Sequence, residues 1–568
     1  MTARRAASAA AIGAFEGVVG RSHVLTSPRS TAPYTKGSRF GGGAVLAVLR
    51  PGSLVEMWRV LRICVAQDLI VIPQAANTGL TGGSGPGDEE YDRDVVIVST
   101  LRIDGIHLLH GAREAVCLAG STLYGLEEAL APHGREPHSV IGSSAIGASV
   151  VGGIANNSGG SQVRKGPAYT EQALFARVDE AGELTLVNHL GIRLPEDPEQ
   201  TLERVERGEW DAADVTPAPP DASQTGYADH VRQVVPTPAR FNADPTFLHE
   251  ASGSAGKLMI FAVRTRTFPR ETQTTTFYVG TNSARELEDL RRAVLRSIDP
   301  LPISGEYLGR SAFDLAARYG KDTFVALKYA GSKVLVRMFA LKSWANGVFA
   351  KVPLLGPTFA DSISQALFAL FPQQIPARLL RYRDAFAHHL ILVTGAAESP
   401  AVEKLLTEFF AETARSGSFF RCSPSEATSA MLLRFGAASA MTRYANLRRK
   451  DVSGLLSFDV ALRRDDEDWL EVLPDDISAQ LVVSSYYGHF FCHVMHQDHI
   501  VAKGVDSGAL KRRMVALLEE RGAALPAEHN YGRIYAVPAA LEAHYRELDP
   551  GNVFNAGMGG TSPRKHWR

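Results

Sequence analysis

The chain has 568 residues, 45% of them hydrophobic and 21% charged, with a formal net charge of −1. That length allows roughly three to four domains and a core that buries about three quarters of the unfolded surface. A balance so near zero excludes a global pull toward nucleic acid, so any electrostatic partner must meet a local patch.

The opening stretch "MTARRAASAAAIGAFEGVVG" is interrupted by Glu16 and reads as a first surface helix, not a cleaved signal. "AVLAVLRPGS" reads as a strand, and Ser53 can cap a helix over "LVEMWRVLRICVAQ", whose apolar positions recur at helical spacing. "LIVIPQ" is a buried strand running into a glycine loop, and "DVVIVST" is the next strand. "IHLLHGAREAVCLAGST" resembles a hairpin, and "LYGLEEALAPHG" is a helix ending at Gly134. A second glycine-rich run spans Val140 to Gly160, and "LVNHLGIRL" and "GKLMIFAVRTRTF" read as further strands. Between Pro195 and Asp229 the sequence turns polar and rich in Pro and Asp, as an insertion or surface loop would. From Thr275 onward strands and helices alternate again, with a helix-rich insertion between about Gly331 and Arg383. Four scattered cysteines without a CxxC pair fit a reducing compartment and argue against a disulfide framework or thiolate zinc. No apolar run approaches the roughly 20 residues of a membrane span.

The first loop, "VIPQAANTGLTGGSGP" from Val71, and the second, "VIGSSAIGASVVGGIANNSGG", can both present main-chain N–H groups to a pyrophosphate. Neither carries GxGxxG, since Asp88 stands where a third glycine after Gly83 and Gly85 would fall. GxxxxGK[ST] also fails, because Leu258 follows Gly256-Lys257. NAD-type and P-loop readings lose their main support.

The pair of loops, with the strands and helices around them, is similar to the FAD-binding domain of the vanillyl-alcohol oxidase, or PCMH-type, flavoproteins. Their first loop commonly reads GGGTGLSGG, where this chain has Ala75-Ala76-Asn77-Thr78-Gly79-Leu80-Thr81-Gly82-Gly83. Those departures, with "GREPHSVIGSSAIGASVVGGIANNSGGSQVRKGPAYTE" and "YYGHF", resemble the bacterial respiratory, quinone-dependent D-lactate dehydrogenases along essentially the whole chain. The resemblance implies an α+β architecture: a PCMH-type FAD domain over 1–270 and an α+β substrate-capping domain in two parts, 271–330 and 389–520. A basic, membrane-contacting insertion over 331–388 and a C-terminal segment, 521–568, returning to the FAD domain complete it. By motif match Ala75, Ala76, Asn77, Thr78, Gly79, Gly83 and Ser84 line the pyrophosphate, and Gly142, Ser149, Gly159 and Ile260 complete the FAD site. No histidine lies in the first loop, so FAD is expected to be held noncovalently.

"YYGHFFCHVMHQDHI" packs His489, His493, His496 and His499 together, and "PAEHNYGRIY" adds Glu528 and His529. In related 2-hydroxy-acid dehydrogenases such motifs supply metal ligands and a catalytic base, which makes His489, His496 and Glu528 a candidate metal set and His529 the candidate base. Positions seven apart on an uninterrupted strand face opposite sides, and "FFCHVM" offers no turn residue. A divalent metal is therefore not favoured over histidines that orient or bind substrate directly. A neutral histidine suits removal of the hydroxyl proton of a 2-hydroxy acid while the C2 hydrogen leaves as hydride. Arg434 in "MLLRFGAASAMTRY" matches the relatives' carboxylate-binding arginine, a planar fork for a bidentate contact. The relatives' nearby lysine is replaced by Ser457, which favours a small monocarboxylate; Arg463 or Arg464 could compensate.

From Lys333 to Arg383 the chain carries Lys333, Arg337, Lys342, Lys351, Arg378, Arg381 and Arg383 against Asp361 and, just beyond, Asp384 as acids, interleaved with Phe339, Trp344, Phe349, Phe359, Leu367, Phe368, Leu370 and Phe371. Basic and aromatic side chains mixed in this way suit an anionic phospholipid surface, and no nucleic-acid module surrounds them. The expectation is an FAD-dependent oxidation of D-lactate, or a similar small D-2-hydroxy acid, to the keto acid. Electrons go to a membrane quinone, His529, His496, Arg434 and His489 serve as catalytic residues, and NAD takes no part. The place is peripheral, at the cytoplasmic face of the bacterial inner membrane. A dehydrogenase or oxidase for another D-2-hydroxy acid, or a membrane-associated flavoprotein without turnover, are the alternatives.

Overall fold

The structure, a computed structural model, describes residues 2–37, 41–138, 147–159, 163–217, 226–322, 324–325, 359–370, 374–468 and 470–568. The N-terminal part holds two sheets. Strands Ala47–Leu49, Val95–Ser99 and Ile70–Gln74 run parallel, with Val24–Leu25 antiparallel at one edge. Ser53 caps the helix Leu54–Ala66 through Glu56 N (3.0 Å), and that helix buries Leu54, Met57, Val60, Leu61 and Cys64. The helix Thr2–Val19 packs against it, with Phe15 fully buried. The second sheet is antiparallel, in the order Ile106–Leu109, Glu114–Leu118, Met259–Arg266, Ala173–Val178, Leu184–Asn188.

Two sequence expectations change. The strand expected over "LVNHLGIRL" ends at Asn188, whose side chain accepts from Leu190 N (3.2 Å) and donates to Ile192 O (2.9 Å), turning the chain at Gly191 (φ 65°). The polar stretch after Pro195 contains a helix, Pro198–Arg207. Asp197 caps it, Pro198 opens it and left-handed Gly208 ends it, with Thr201, Leu202 and Val205 buried. Composition hid a narrow apolar stripe inside an otherwise charged segment.

Strand Ile70–Gln74 closes one edge of the first sheet, where Pro73 costs no ladder bond. Its other side is taken by a segment from the far end of the chain: Val71 N donates to Val553 O and Asn555 N to Val71 O, both at 2.9 Å.

The second half is built on a seven-stranded antiparallel sheet, in the order Ser418–Arg421, Thr274–Thr281, His388–Gly395, Ser304–Gly309, Leu481–His489, Val494–Ala502, Val452–Ala461. Period-two alternation sorts its side chains onto two covered faces. Phe277, Val279, Leu390, Leu392 and Tyr307 meet the helices Ala284–Ser297 and Ser399–Ala411. Tyr278, Ile391, Leu308 and Tyr487 meet the helices Arg310–Tyr319, Ala377–Ala385 and Pro424–Leu447.

Strands Leu481–His489 and Val494–Ala502 form a hairpin that reverses through Phe490, Phe491, Cys492 and His493, all buried. His493 adopts φ 51°, and its ring is anchored at Nδ1 to Arg463 O and at Nε2 to Glu288 Oε2, each at 3.0 Å. A turn is therefore present where the sequence offered no turn residue. Tyr487 pairs with His496 and His489 with Val494, which puts His489 and His496 on one face. A Cβ at Gly488 would lie 2.2 Å from the Val494 carbonyl oxygen. Gly488→Ala is thus expected to cost about 1–3 kcal/mol, read as a lower midpoint in chemical denaturation.

Candidate functional site

A cavity of about 1530 Å³ lies between the first glycine loop and the Pro424–Leu447 face of the seven-stranded sheet. Typical small-molecule sites occupy about 300–1,000 Å³, so this one has room for more than one ligand. Ala75, Ala76, Asn77, Thr78, Gly79, Gly83, Ser84, Ser149 and Ile260 all line it. Gly142 lies outside the described residues. Gly159 does not line the cavity: a Cβ there would lie 2.6 Å from the Arg240 guanidinium carbon, so this glycine serves a close approach to Arg240.

The loop is held from beneath. Ser84 Oγ and Asn77 Oδ1 are 2.8 Å apart, Asn77 Nδ2 donates to Lys36 O (3.1 Å), and Asn555 Nδ2 donates to Gly83 O (2.8 Å). Asn530 bonds Thr81 and reaches Asn156 Oδ1 at 2.7 Å; a Cβ on Gly83 would collide with its amide. His138 was not singled out in the sequence, yet it lines the same cavity. Burial and then the Lys165 ammonium push its pKa down to about 4, leaving a neutral ring whose Nε2 is buried without a partner. An extended loop of accessible backbone and an orphaned ring nitrogen in one elongated cavity fit a dinucleotide such as FAD.

Away from the loop, four adjacent strands place Glu306, His489, His496 and Asp459 side by side beneath the helix Pro424–Leu447. Arg434 Nε lies 2.8 Å from Glu306 Oε2, and Glu306 Oε1 accepts from His489 Nδ1 (2.8 Å). His489 Nε2 faces Glu528 Oε2 (3.2 Å), and the other oxygen of Glu528 pairs with Arg240. The result is a buried chain of alternating charge. Burial opposes the charge on His489, but the Glu306 and then the Glu528 carboxylates outweigh it and raise its pKa to about 9. Burial likewise opposes the charge on Glu528, and His489 and Arg240 overcome it, holding the carboxyl well below the usual range. His489 is an internal strut and does not line the cavity, whereas His496, His529, Arg434 and Glu528 do.

Asp459 is the residue the sequence reading passed over. Its Oδ2 accepts from the Glu528 and His529 backbone N–H groups (2.7 and 2.9 Å) and from His529 Nδ1 (2.9 Å), while Oδ1 lies 3.4 Å from His496 Nδ1. An acid between Phe458 and Val460 in an alternating strand was the available signal. With Nδ1–H committed to this carboxylate, the His529 lone pair sits on Nε2. His493 and His499 serve elsewhere, the first in the hairpin turn and the second against Ser484 Oγ (2.8 Å). Arg463 pairs with Asp465 (2.9 Å) and Arg464 bonds Thr237 and His230; neither lines the cavity, so neither replaces the missing lysine. Ser457 does line it, bonded to Asp498.

His489, His496 and Glu528 also converge. Their facing atoms lie within 4.8 Å of one another, with His489 Nε2 and His496 Nε2 at 3.5 Å. Ligands about 2.1 Å from a tetrahedral ion stand about 3.4 Å apart, and each histidine has a carboxylate at its other nitrogen, as metal-bound histidines do. The geometric objection read from the strand spacing is removed by the hairpin turn; the residues fit a divalent ion.

Of the insertion, Lys333, Arg337, Phe339, Lys342, Trp344, Phe349, Lys351 and Phe371 lie outside the described residues. Arg378 pairs with Glu426 (2.6 Å) and Arg383 with Asp314 (2.5 Å), while Arg381 is exposed. On the helix Phe359–Ala369 and just beyond it Ile363, Leu367 and Leu370 are exposed, Leu370 by 85%. Among the described residues no helix is long and apolar enough to cross a membrane.

The fold and cavity define an FAD-binding flavoprotein of the PCMH type. A family model described as FAD binding domain matches residues 45–185, and one described as D-lactate dehydrogenase, membrane binding, matches 276–567. The chain belongs to the quinone-dependent D-lactate dehydrogenase family. It is 63% identical over 557 residues to the quinone-dependent D-lactate dehydrogenase of Corynebacterium glutamicum, covering 98% of each chain. To that of Escherichia coli it is 49% identical over 552 residues, covering 97% of this chain and 96% of the other. In fold it is similar to p-cresol methylhydroxylase, with a TM-score of 0.58 at 13% identity over 98% of this chain and 97% of that one.

Arg240 and Glu528 are 2% and 9% exposed. Arg240→Met strands a buried carboxylate and is expected to lower stability by about 3–5 kcal/mol, measured by denaturant unfolding. The double substitution with Glu528→Gln should recover part of that loss.

Proposed function

We infer that the chain is a peripheral membrane enzyme that oxidises D-lactate to pyruvate with FAD and passes the electrons to quinone. The observation that carries the reading is one cavity that joins the glycine loop to the Asp459–His529 pair beside Arg434. Arg434, held by Glu306, binds the substrate carboxylate. His529 Nε2 takes the hydroxyl proton; Asp459 fixes the tautomer and stabilises the cation that results. His496, also tied to Asp459, borders the same space and orients the hydroxyl. FAD, when bound, supplies the two-electron acceptor for the C2 hydrogen. With Arg463 and Arg464 turned away and Arg443 paired to Asp322, Arg434 is the cationic fork beside the Asp459–His529 pair, which supports a monocarboxylate.

The same reading assigns the FAD-domain role to 1–270 with 521–568, the cap to 271–330 and 389–520, and lipid contact to 331–388. The exposed Ile363, Leu367 and Leu370 and the basic residues of that stretch support contact with anionic phospholipid at the cytoplasmic face of the inner membrane. FAD is held noncovalently, and NAD takes no part. The His489–His496–Glu528 trio has a second occupant that fits: a divalent cation, which would supply positive charge beside the substrate oxygens. Elemental analysis after dialysis against zinc separates the two. One equivalent lost in His496→Ala assigns the ion; none assigns protonated His489.

Anaerobic mixing with D-lactate is expected to bleach the visible flavin absorbance, and L-lactate to leave it unchanged. His529→Ala should slow that bleaching by about 10²–10⁴-fold with the protein still yellow, and Asp459→Asn should follow it. A yellow protein that D-lactate does not bleach rejects the substrate.

A further inference from the structure

The cavity continues well past the reacting groups. Its wall follows one stripe of the helix Pro424–Leu447, from Arg434 through Phe435, Ala438 and Thr442 to Asn446. Twelve helical steps carry it about 18 Å, farther than a three-carbon acid needs. The opposite wall is Leu455, on the same strand as Asp459, with Lys511 near the start of the helix Ser507–Glu520. Lys511 Nζ stands 4.9 Å from the centre of the Tyr535 ring, which also lines this arm. Phe435, Ala438, Leu455 and Tyr535 give the arm an apolar and aromatic side, and Ser439, Thr442, Arg443, Asn446 and the Lys511 ammonium give it a polar one.

The helix Phe359–Ala369 packs against the same Pro424–Leu447 helix, and Gln365 Nε2 donates to Arg318 O (2.9 Å). Ile363, Leu367 and Leu370 point outward at spacings of four and three residues, giving this helix an exposed apolar face. The element that presents apolar surface to a membrane and the element that walls the arm are therefore packed together.

We propose that this arm, from Phe435 to Asn446 and across to Lys511, is the quinone site, separate from the lactate pocket and opening beside the helix Phe359–Ala369. The ring lies among Phe435, Ala438 and Leu455, and the Lys511 ammonium donates a hydrogen bond to a quinone carbonyl oxygen. The reaction balances without a further reagent: D-lactate loses two electrons and two protons to become pyruvate, and the quinone gains two electrons and two protons to become quinol. This assignment rests on the reading of the chain as a quinone-dependent D-lactate dehydrogenase.

The test separates the two halves of turnover in the FAD-loaded protein, using Ala438→Phe, which fills the arm, and Lys511→Met, which removes its charge. Anaerobic bleaching by D-lactate is expected to stay within about twofold of the unmutated protein. That bleaching also reports a folded, loaded variant. Reoxidation of the bleached protein by a short-chain benzoquinone is expected to slow by about tenfold or more, while reoxidation by ferricyanide, which needs no apolar arm, is unchanged. Benzoquinone reoxidation at the unmutated rate in both variants overturns the proposal. So does equal slowing with ferricyanide, which places the effect on flavin oxidation in general, or loss of bleaching by D-lactate in the variants alone, which places these residues at the lactate end. If the unmutated protein itself is not bleached, the failure belongs to the substrate reading.

Discussion

The site depends on a buried line of alternating charge: Arg434, Glu306, His489, Glu528, Arg240. Each member is buried and each pairs with its neighbours in the line. Broken anywhere, the line leaves a lone charge in a low-dielectric interior, so it fixes the relative positions of elements far apart in sequence. Arg434 comes from a helix of the cap, Glu306 and His489 from neighbouring strands of its sheet, Glu528 from the segment leading back to the glycine loop, and Arg240 from the approach to the first long strand of the FAD-binding half. Counting His489 as protonated, the line carries three positive groups against two negative ones, and the Asp459 carboxylate beside it offsets that surplus.

Asp459 does the corresponding work for His529 and His496. One carboxylate accepts from two backbone N–H groups and His529, and reaches His496. Burial resists its ionisation, yet His529 and His496 keep its pKa well below the usual range. His529 is thus oriented by a group that the bond between them keeps charged, which is why one strand position matters as much as the histidine it holds.

Much of this was legible in the sequence and part of it was not, for physical reasons. The strand–helix–strand start, the Ser53 cap and the first glycine loop follow local rules of periodicity and turn chemistry, and they stand where those rules put them. The hairpin between His489 and His496 does not follow them. Its reversal is made by four buried residues, with a histidine in the left-handed region held by Glu288 and the Arg463 carbonyl. A tertiary anchor takes the place of the glycine that local chemistry would require, and no window of sequence contains both. Arg240 and Glu306 were missed similarly: each is a single charge in an ordinary context until a distant partner arrives.

The pairing of Val71 with residues 553–555 carries a consequence for synthesis. The strand that launches the glycine loop is among the first to leave the ribosome, while the segment that flanks it emerges only after the entire cap has been made. Asn530, Arg533 and Asn555, which brace the loop, arrive equally late. The nascent N-terminal half must therefore wait with one edge of its sheet and its nucleotide loop unsupported. Cofactor capture belongs to the end of translation, and any chain halted within the cap is left without a completed place for flavin.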